Sequence, residues 1–222
     1  MKIIVTGANG FVGSEVVSQL LADPRVTQVT ALTRRPLELP DPRFVNLLHE
    51  DFSSYGDDLL DKVSDHLGCI WTLGGPASEI ADGDDAYYVK VTHTFTTVFA
   101  EAMAARTKSH FNFCYVSGMG ADPAENPKIR WEKTTRHITG RTEKDLTLIQ
   151  ARHPRMALRI FRPGGIIPRT TGAIGYALVS PISVRVQVLA QGLIAAGTDI
   201  SLQGTRTLSN GDIKKVARGA TP

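Results

Sequence analysis

Three glycines, Gly7, Gly10 and Gly13, are evenly spaced in Thr6-Gly7-Ala8-Asn9-Gly10-Phe11-Val12-Gly13, directly after Lys2-Ile3-Ile4-Val5. Glycines at this spacing let a backbone turn sharply, approach a diphosphate closely and pack the following helix against the preceding strand. The N-terminus of that helix attracts negative charge. The chemistry indicated is dinucleotide binding, with Gly7, Asn9, Gly10, Phe11, Val12 and Gly13 around the phosphates. A plain strand-to-helix turn is the alternative use of the same glycines.

A second group of residues bears on which dinucleotide is held. In such a fold the end of the second strand lies beside the adenosine ribose, where an acid binds a free 2′-hydroxyl and arginine accommodates a 2′-phosphate. Here the strand ends in Thr33-Arg34-Arg35-Pro36. With no acid and two arginines, Arg34 and Arg35 indicate NADP(H), the alternative being a solvated basic loop. In His49-Glu50-Asp51-Phe52, Asp51 either contacts the adenine edge beside Phe52 or caps its own loop. Small-residue loops after the fourth and sixth strands, with Leu73 and Gly74 in one and Pro163 and Gly164 in the other, are expected to line the same cleft.

These residues require a particular frame. Strands are expected over residues 2–5, 26–32, 43–48, 68–73, 111–116 and 156–161, separated by helical patterns. Val16, Val17, Leu20 and Leu21 recur at helical spacing before Asp23-Pro24, and Phe95, Val98, Phe99, Ala102 and Met103 form another stripe. A helix is expected near 55–63 and another over 128–152, broken early, with Leu146 and Ile149 buried. Strands alternating with helices imply an α/β fold, a parallel sheet wound on both faces. The tail adds an apolar helix over 175–195, a short strand over 199–202 and a last helix over 210–218. The expectation is one Rossmann domain over 1–222, with 172–222 a substrate-side extension.

Composition excludes several classes of function. The 222 residues carry 25 Lys and Arg against 22 Asp and Glu, and the basic residues are scattered, which argues against nucleic acid as a partner. The apolar stretch 173–196 is interrupted by Pro181, Arg185 and Gln187, which argues against a membrane span. Cys69 and Cys114 sit in apolar runs and read as small buried hydrophobes, reduced as in a cytoplasmic protein. No signal peptide is expected. No His or Cys spacing suits a metal, and neither a Gly-x-Ser-x-Gly elbow nor a Walker sequence occurs.

With those landmarks placed, the chain resembles the atypical and extended short-chain dehydrogenase/reductase superfamily, in particular its small NmrA-like and epimerase-like members. The resemblance rests on TGANGFVG at 6–13, LTRRP at 32–36, HEDF at 49–52, YVSG at 115–118, TGRTEKDL at 139–146 and RPGGIIP at 162–168. It implies a Rossmann core, a nicotinamide cofactor and a small-molecule pocket at the carboxyl ends of the strands. Such enzymes usually work through Ser, Tyr and Lys, the last two spaced Tyr-x-x-x-Lys. Ser117 matches the serine, but Thr135 and Thr139 stand where the Tyr and Lys belong, and none of the five tyrosines has Lys four residues later.

An aliphatic hydroxyl is far less acidic than a phenol, so Thr135 orients a substrate better than it protonates one. Trp131, Thr135 and Thr139 share a helix face, with Glu132 nearby as an acid or base, and Tyr115 shares a strand face with Ser117. Three readings follow. The first is an NADP(H)-dependent enzyme reducing an activated double bond, carbonyl or iminium of a small, largely apolar metabolite. The second is an isomerase, dehydratase or cyclase on the same scaffold. The third is an NADP(H)-sensing regulator whose apolar tail helix meets a partner or a second copy in a homodimer.

Overall fold

The computed structural model describes residues 1–74, 85–126, 128, 130, 132–172, 175 and 179–221. Within them the chain runs β1 (Lys2–Thr6), α1 (Phe11–Ala22), β2 (Gln28–Thr33), β3 (Phe44–Leu48), α2 (Asp57–Val63), β4 (Gly68–Trp71), α3 (Asp85–Val89), a π-helical turn at Lys90–Thr94, α4 (Phe95–Arg106) and β5 (Phe111–Val116). There follow α5 (Lys133–Arg152), β6 (Met156–Arg162), β7 (Gly165–Ile167), β8 (Ser183–Arg185), α6 (Val186–Thr198), β9 (Thr205–Ser209) and α7 (Asn210–Val216).

Seven strands form one sheet in the order β3-β2-β1-β4-β5-β6-β9, every pairing parallel. Strand order reverses between β1 and β4, so the crevice for a ligand opens at the carboxyl ends of those two strands. Strand residues alternate between two cores. Ile3, Val5, Ile70 and Cys114 join Val16, Leu20, Leu189, Leu193 and Ile213 on the face covered by α1, α6 and α7. Ile4, Trp71, Phe113 and Tyr115 join Phe95, Phe99, Met103, Leu146 and Ile149 on the face covered by α4 and α5. The doubly wound Rossmann frame is therefore the observed fold, and its central strands are apolar on both faces because both are covered.

The frame departs from the sequence expectation mainly in the tail. The helix expected over 175–195 is not continuous: Gly175 and Val179 are helical, a tighter turn follows at Ser180–Ile182 and then β8, and α6 starts at Val186. Pro181 lacks the N–H that would continue a helical hydrogen-bond ladder, while Ser183 and Val184 are buried against β7. Residues 199–202 are not a strand. Asp199 Oδ1 accepts from Ser201 N at 2.9 Å and Ser201 Oγ at 2.7 Å, a side-chain turn that delays the strand to β9. The helix after β5 begins at Lys133 rather than near 128.

Both cysteines are unpaired and buried, and burial pushes the Cys114 thiol up to about 12, which suits a packing role. Among the described residues no helix is long and apolar enough to cross a membrane, and no cluster of metal-ligating side chains occurs.

Candidate functional site

The cleft at the sheet's switch point, about 400 Å³, is lined by Gly7, Ala8, Asn9, Gly10, Leu32, Thr33, Arg34, Arg35, Phe52, Thr72, Leu73 and Gly74. Gly7 sits at φ +67, a conformation that side chains disfavour, and Gly10 N donates to Gly7 O at 2.8 Å to close the turn. A Cβ on Gly13 would lie 2.1 Å from Gly7 O, so a glycine there is what lets α1 seat against the turn. Thr72 Oγ1 donates to Thr6 O at 2.6 Å and ties β4 to β1 beneath it. Gly10, the residue before α1, offers no side-chain cap, so the first N–H groups of α1 have no capping partner. That cradle of small residues and free amides fits a diphosphate.

Eight of the residues expected to hold the cofactor line this cleft: Gly7, Asn9, Gly10, Arg34, Arg35, Phe52, Leu73 and Gly74. The other six are not among its lining residues. Phe11 is half exposed, Val12 packs on the core and Gly13 supports the turn from behind. The Asp51 carboxylate accepts from Ser53 N at 3.0 Å and Ser53 Oγ at 2.5 Å, which holds it below the usual carboxylate range as a cap of its own loop. Pro163 O accepts from Met119 N at 2.8 Å, and Gly164 N donates to Asn210 Oδ1 at 3.1 Å, so both brace the loop after β6.

A second cavity, about 210 Å³, adjoins the first through Leu73 and Gly74 and reaches Tyr88, Tyr115, Ser117, Met119, Glu132, Thr135, Arg136 and Thr139. Ser117, Thr135, Thr139 and Glu132, expected from the sequence as the catalytic group, thus meet around one space. Trp131 lies outside the described residues. Thr135 Oγ1 donates to Glu132 O at 2.9 Å and Thr139 Oγ1 to Thr135 O at 2.8 Å. Glu132 precedes α5 in left-handed backbone at φ 48 and is exposed.

Two contributors were not singled out from the sequence. Glu143, 3 % exposed, accepts from Ser117 Oγ at 2.6 Å and from Arg162 Nε at 2.9 and 3.1 Å, with Arg162 Nη2 closing a bidentate pair. The pairing raises the Arg162 pKa. The Gly140-x-x-Glu143 spacing was the available signal for it. Tyr88 is the other, a phenol whose burial raises its pKa and keeps it protonated. Tyr115, wholly buried beneath the cavity, is raised for the same reason.

Residues 7–184 match a family described as NAD(P)H-binding. The chain belongs to that family. It is 31% identical over 122 residues to leucinostatins biosynthesis cluster protein T of Purpureocillium lilacinum, a match covering 54% of this chain and 44% of that protein, so less than half of the relative's length is spanned. Its fold is similar to MoeE5 in complex with UDP-glucose and NAD, at TM-score 0.70 and 17% identity over 94% of this chain and 75% of the other. It is likewise similar to the PhqB reductase domain from Penicillium fellutanum, at TM-score 0.69 and 17% identity over 95% and 67%. A UDP-glucuronic acid 4-epimerase from Bacillus cereus, in complex with UDP-glucuronic acid and NAD, gives TM-score 0.66 at 17% identity over 94% and 77%. An NAD(P)H-binding Rossmann scaffold is therefore the frame in which the two cavities sit.

Proposed function

We propose that this protein is an NADP(H)-dependent enzyme of the short-chain dehydrogenase/reductase type that acts on a small, largely apolar metabolite at an activated double bond. The observation that carries the reading is the junction of the two cavities at Leu73 and Gly74, which joins a dinucleotide cradle to a pocket of about 210 Å³. When bound, a reduced nicotinamide supplies a hydride. The chain's own residues do the rest. Gly7, Asn9 and Gly10 with the first amides of α1 hold the diphosphate, and Arg34 and Arg35 hold the 2′-phosphate. Neither arginine forms an ion pair among the described residues, and both are exposed at the cleft.

Calorimetric titration with NADPH and NADH tests this. NADPH is expected to bind more tightly, and Arg34→Ala with Arg35→Ala to cut that preference by about tenfold or more, since a hydrogen bond to a charged group is worth roughly 1.5–3 kcal/mol. Equal binding of the two cofactors by the unaltered protein would remove the NADP(H) assignment.

One feature favours a second reading, an isomerase or dehydratase on the same scaffold. The Thr135 and Thr139 hydroxyls donate into the backbone of α5, so neither is placed to pass a proton as the family's phenol does. A product of unchanged oxidation state, formed without NADPH consumption, would favour it.

A further inference from the structure

The hydrogen-bond polarity of the second cavity is set by its partners, whatever the positions of the hydrogens. The Glu143 carboxylate takes three contacts from the Arg162 guanidinium, an obligate donor, and its remaining contact is Ser117 Oγ at 2.6 Å. A carboxylate so paired only accepts, so the Ser117 hydroxyl donates to it. Thr135 Oγ1 faces the carbonyl of Glu132 just before α5 and Thr139 Oγ1 that of Thr135 within it, and a carbonyl only accepts. All three hydroxyl hydrogens are therefore committed to the protein, and what Ser117, Thr135 and Thr139 present to the cavity is lone pairs.

Glu132, at the same cavity, adds a carboxylate. The remaining side-chain donors among the described lining residues are the Thr92 hydroxyl, the phenols of Tyr88 and Tyr115, and Arg136, whose Nε already donates to Gly120 O at 2.6 Å.

The geometry points to a substrate whose reacting group is a hydrogen-bond donor, an N–H of a cyclic iminium or its amine product, held against Ser117, Thr135 and Thr139. This rests on the reductive reading above and names its substrate class. A carbonyl oxygen at that wall would meet three acceptors and gain nothing. An iminium N–H finds acceptors for its one hydrogen, and it needs no acid. The iminium carbon takes a hydride from the reduced nicotinamide, the C=N π bond breaks, its electron pair becomes the nitrogen lone pair, and a neutral amine leaves with no proton added. The lack of a Tyr-x-x-x-Lys pair is then a match to the substrate.

Two ligands of one ring size test the preference without turnover: 1,2,3,4-tetrahydroisoquinoline, an ammonium at pH 7, and 2-tetralone. Calorimetry on the full chain saturated with NADP⁺ is expected to show the amine bound about tenfold more tightly or better, the scale of one charge-assisted hydrogen bond. Thr139→Val, close in shape, is expected to lose most of that margin for the amine and leave the ketone unchanged. Ser117→Ala is expected to do the same, with thermal unfolding confirming an intact fold. Ketone binding equal to or tighter than amine binding overturns the inference, as does an equal loss of both ligands in Thr139→Val. Amine preference retained by a protein that binds no NADPH would support the site's polarity while sinking the reductive reading. With NADPH, 3,4-dihydroisoquinolinium is expected to be consumed and 2-tetralone not.

Discussion

Glu143 holds the second cavity's wall in its present polarity. Its carboxylate is the common acceptor for Ser117 and Arg162, so removing it frees a hydroxyl hydrogen and strands a guanidinium at once. Breaking a buried pair by deleting one partner costs about 3–5 kcal/mol, and partial exposure of Arg162 places this case at the lower end. Glu143→Ala is expected to lower unfolding stability by about 3 kcal/mol, read as a shifted urea midpoint at constant slope. Glu143→Gln, which keeps an acceptor oxygen, should lose less. Ser117 was legible as a serine at the end of a strand that faces a pocket. Its hydrogen bond to Glu143 was not, because that depends on a residue brought to it by α5.

At the scale of elements, the loop after β6 and the start of α7 are joined through one side chain. Asn210, 8 % exposed, accepts from Gly164 N at 3.1 Å and donates to Ser183 O at 3.1 Å and Pro181 O at 3.3 Å. It thereby fixes β7, β8 and α7 against each other. Asn210→Ala leaves buried backbone groups unpaired, each worth roughly 1–3 kcal/mol, so a loss of about 2 kcal/mol or more is expected in thermal or denaturant unfolding. A loss under about 0.5 kcal/mol would mean that water replaces the amide. These connections were poorly legible in the tail. Apolar composition favoured a helix over 175–195, and only pairing with β7 decides that Ser183 and Val184 are strand. β9 hid for a related reason: of its five residues only Leu208 is buried, as befits a sheet edge, so it lacks an apolar signature.

For the whole molecule, acid sensitivity should come first from His66. Its Nε2 is hydrogen-bonded to Thr30 Oγ1 at 2.7 Å on β2, its ring is buried before β4, and desolvation lowers its pKa from 6.5 to about 4. The unfolded chain then binds the extra proton, so stability falls as pH drops from 6.5 to about 4, by roughly 3 kcal/mol at most. The lowered carboxylates Asp23 and Asp65 act in the next window down, since their contribution is lost only below the normal carboxylate value of 3.8. Denaturant unfolding at several pH values should show a decline between pH 6.5 and 4 that His66→Gln flattens. A variant that keeps the full slope would transfer the effect to other groups.

What the sequence determined by itself is what local sterics and short-range order dictate. Gly7, Gly10 and Gly13 can be read as a cradle because the turn's backbone and its contact with α1 are settled within a few residues. Arg34 and Arg35 are proposed as a phosphate site because the end of β2 lies beside the ribose in this fold. Apolar strands and helical stripes are likewise local patterns. Tertiary structure alone decided which hydroxyls donate and which accept. Ser117 meets Glu143 across 26 residues and Glu143 meets Arg162 across 19, and hydrogen-bond polarity belongs to the partner as much as to the residue. It also decided where the sheet ends, because an edge strand is selected by the ladder it completes on β6 and not by its own composition.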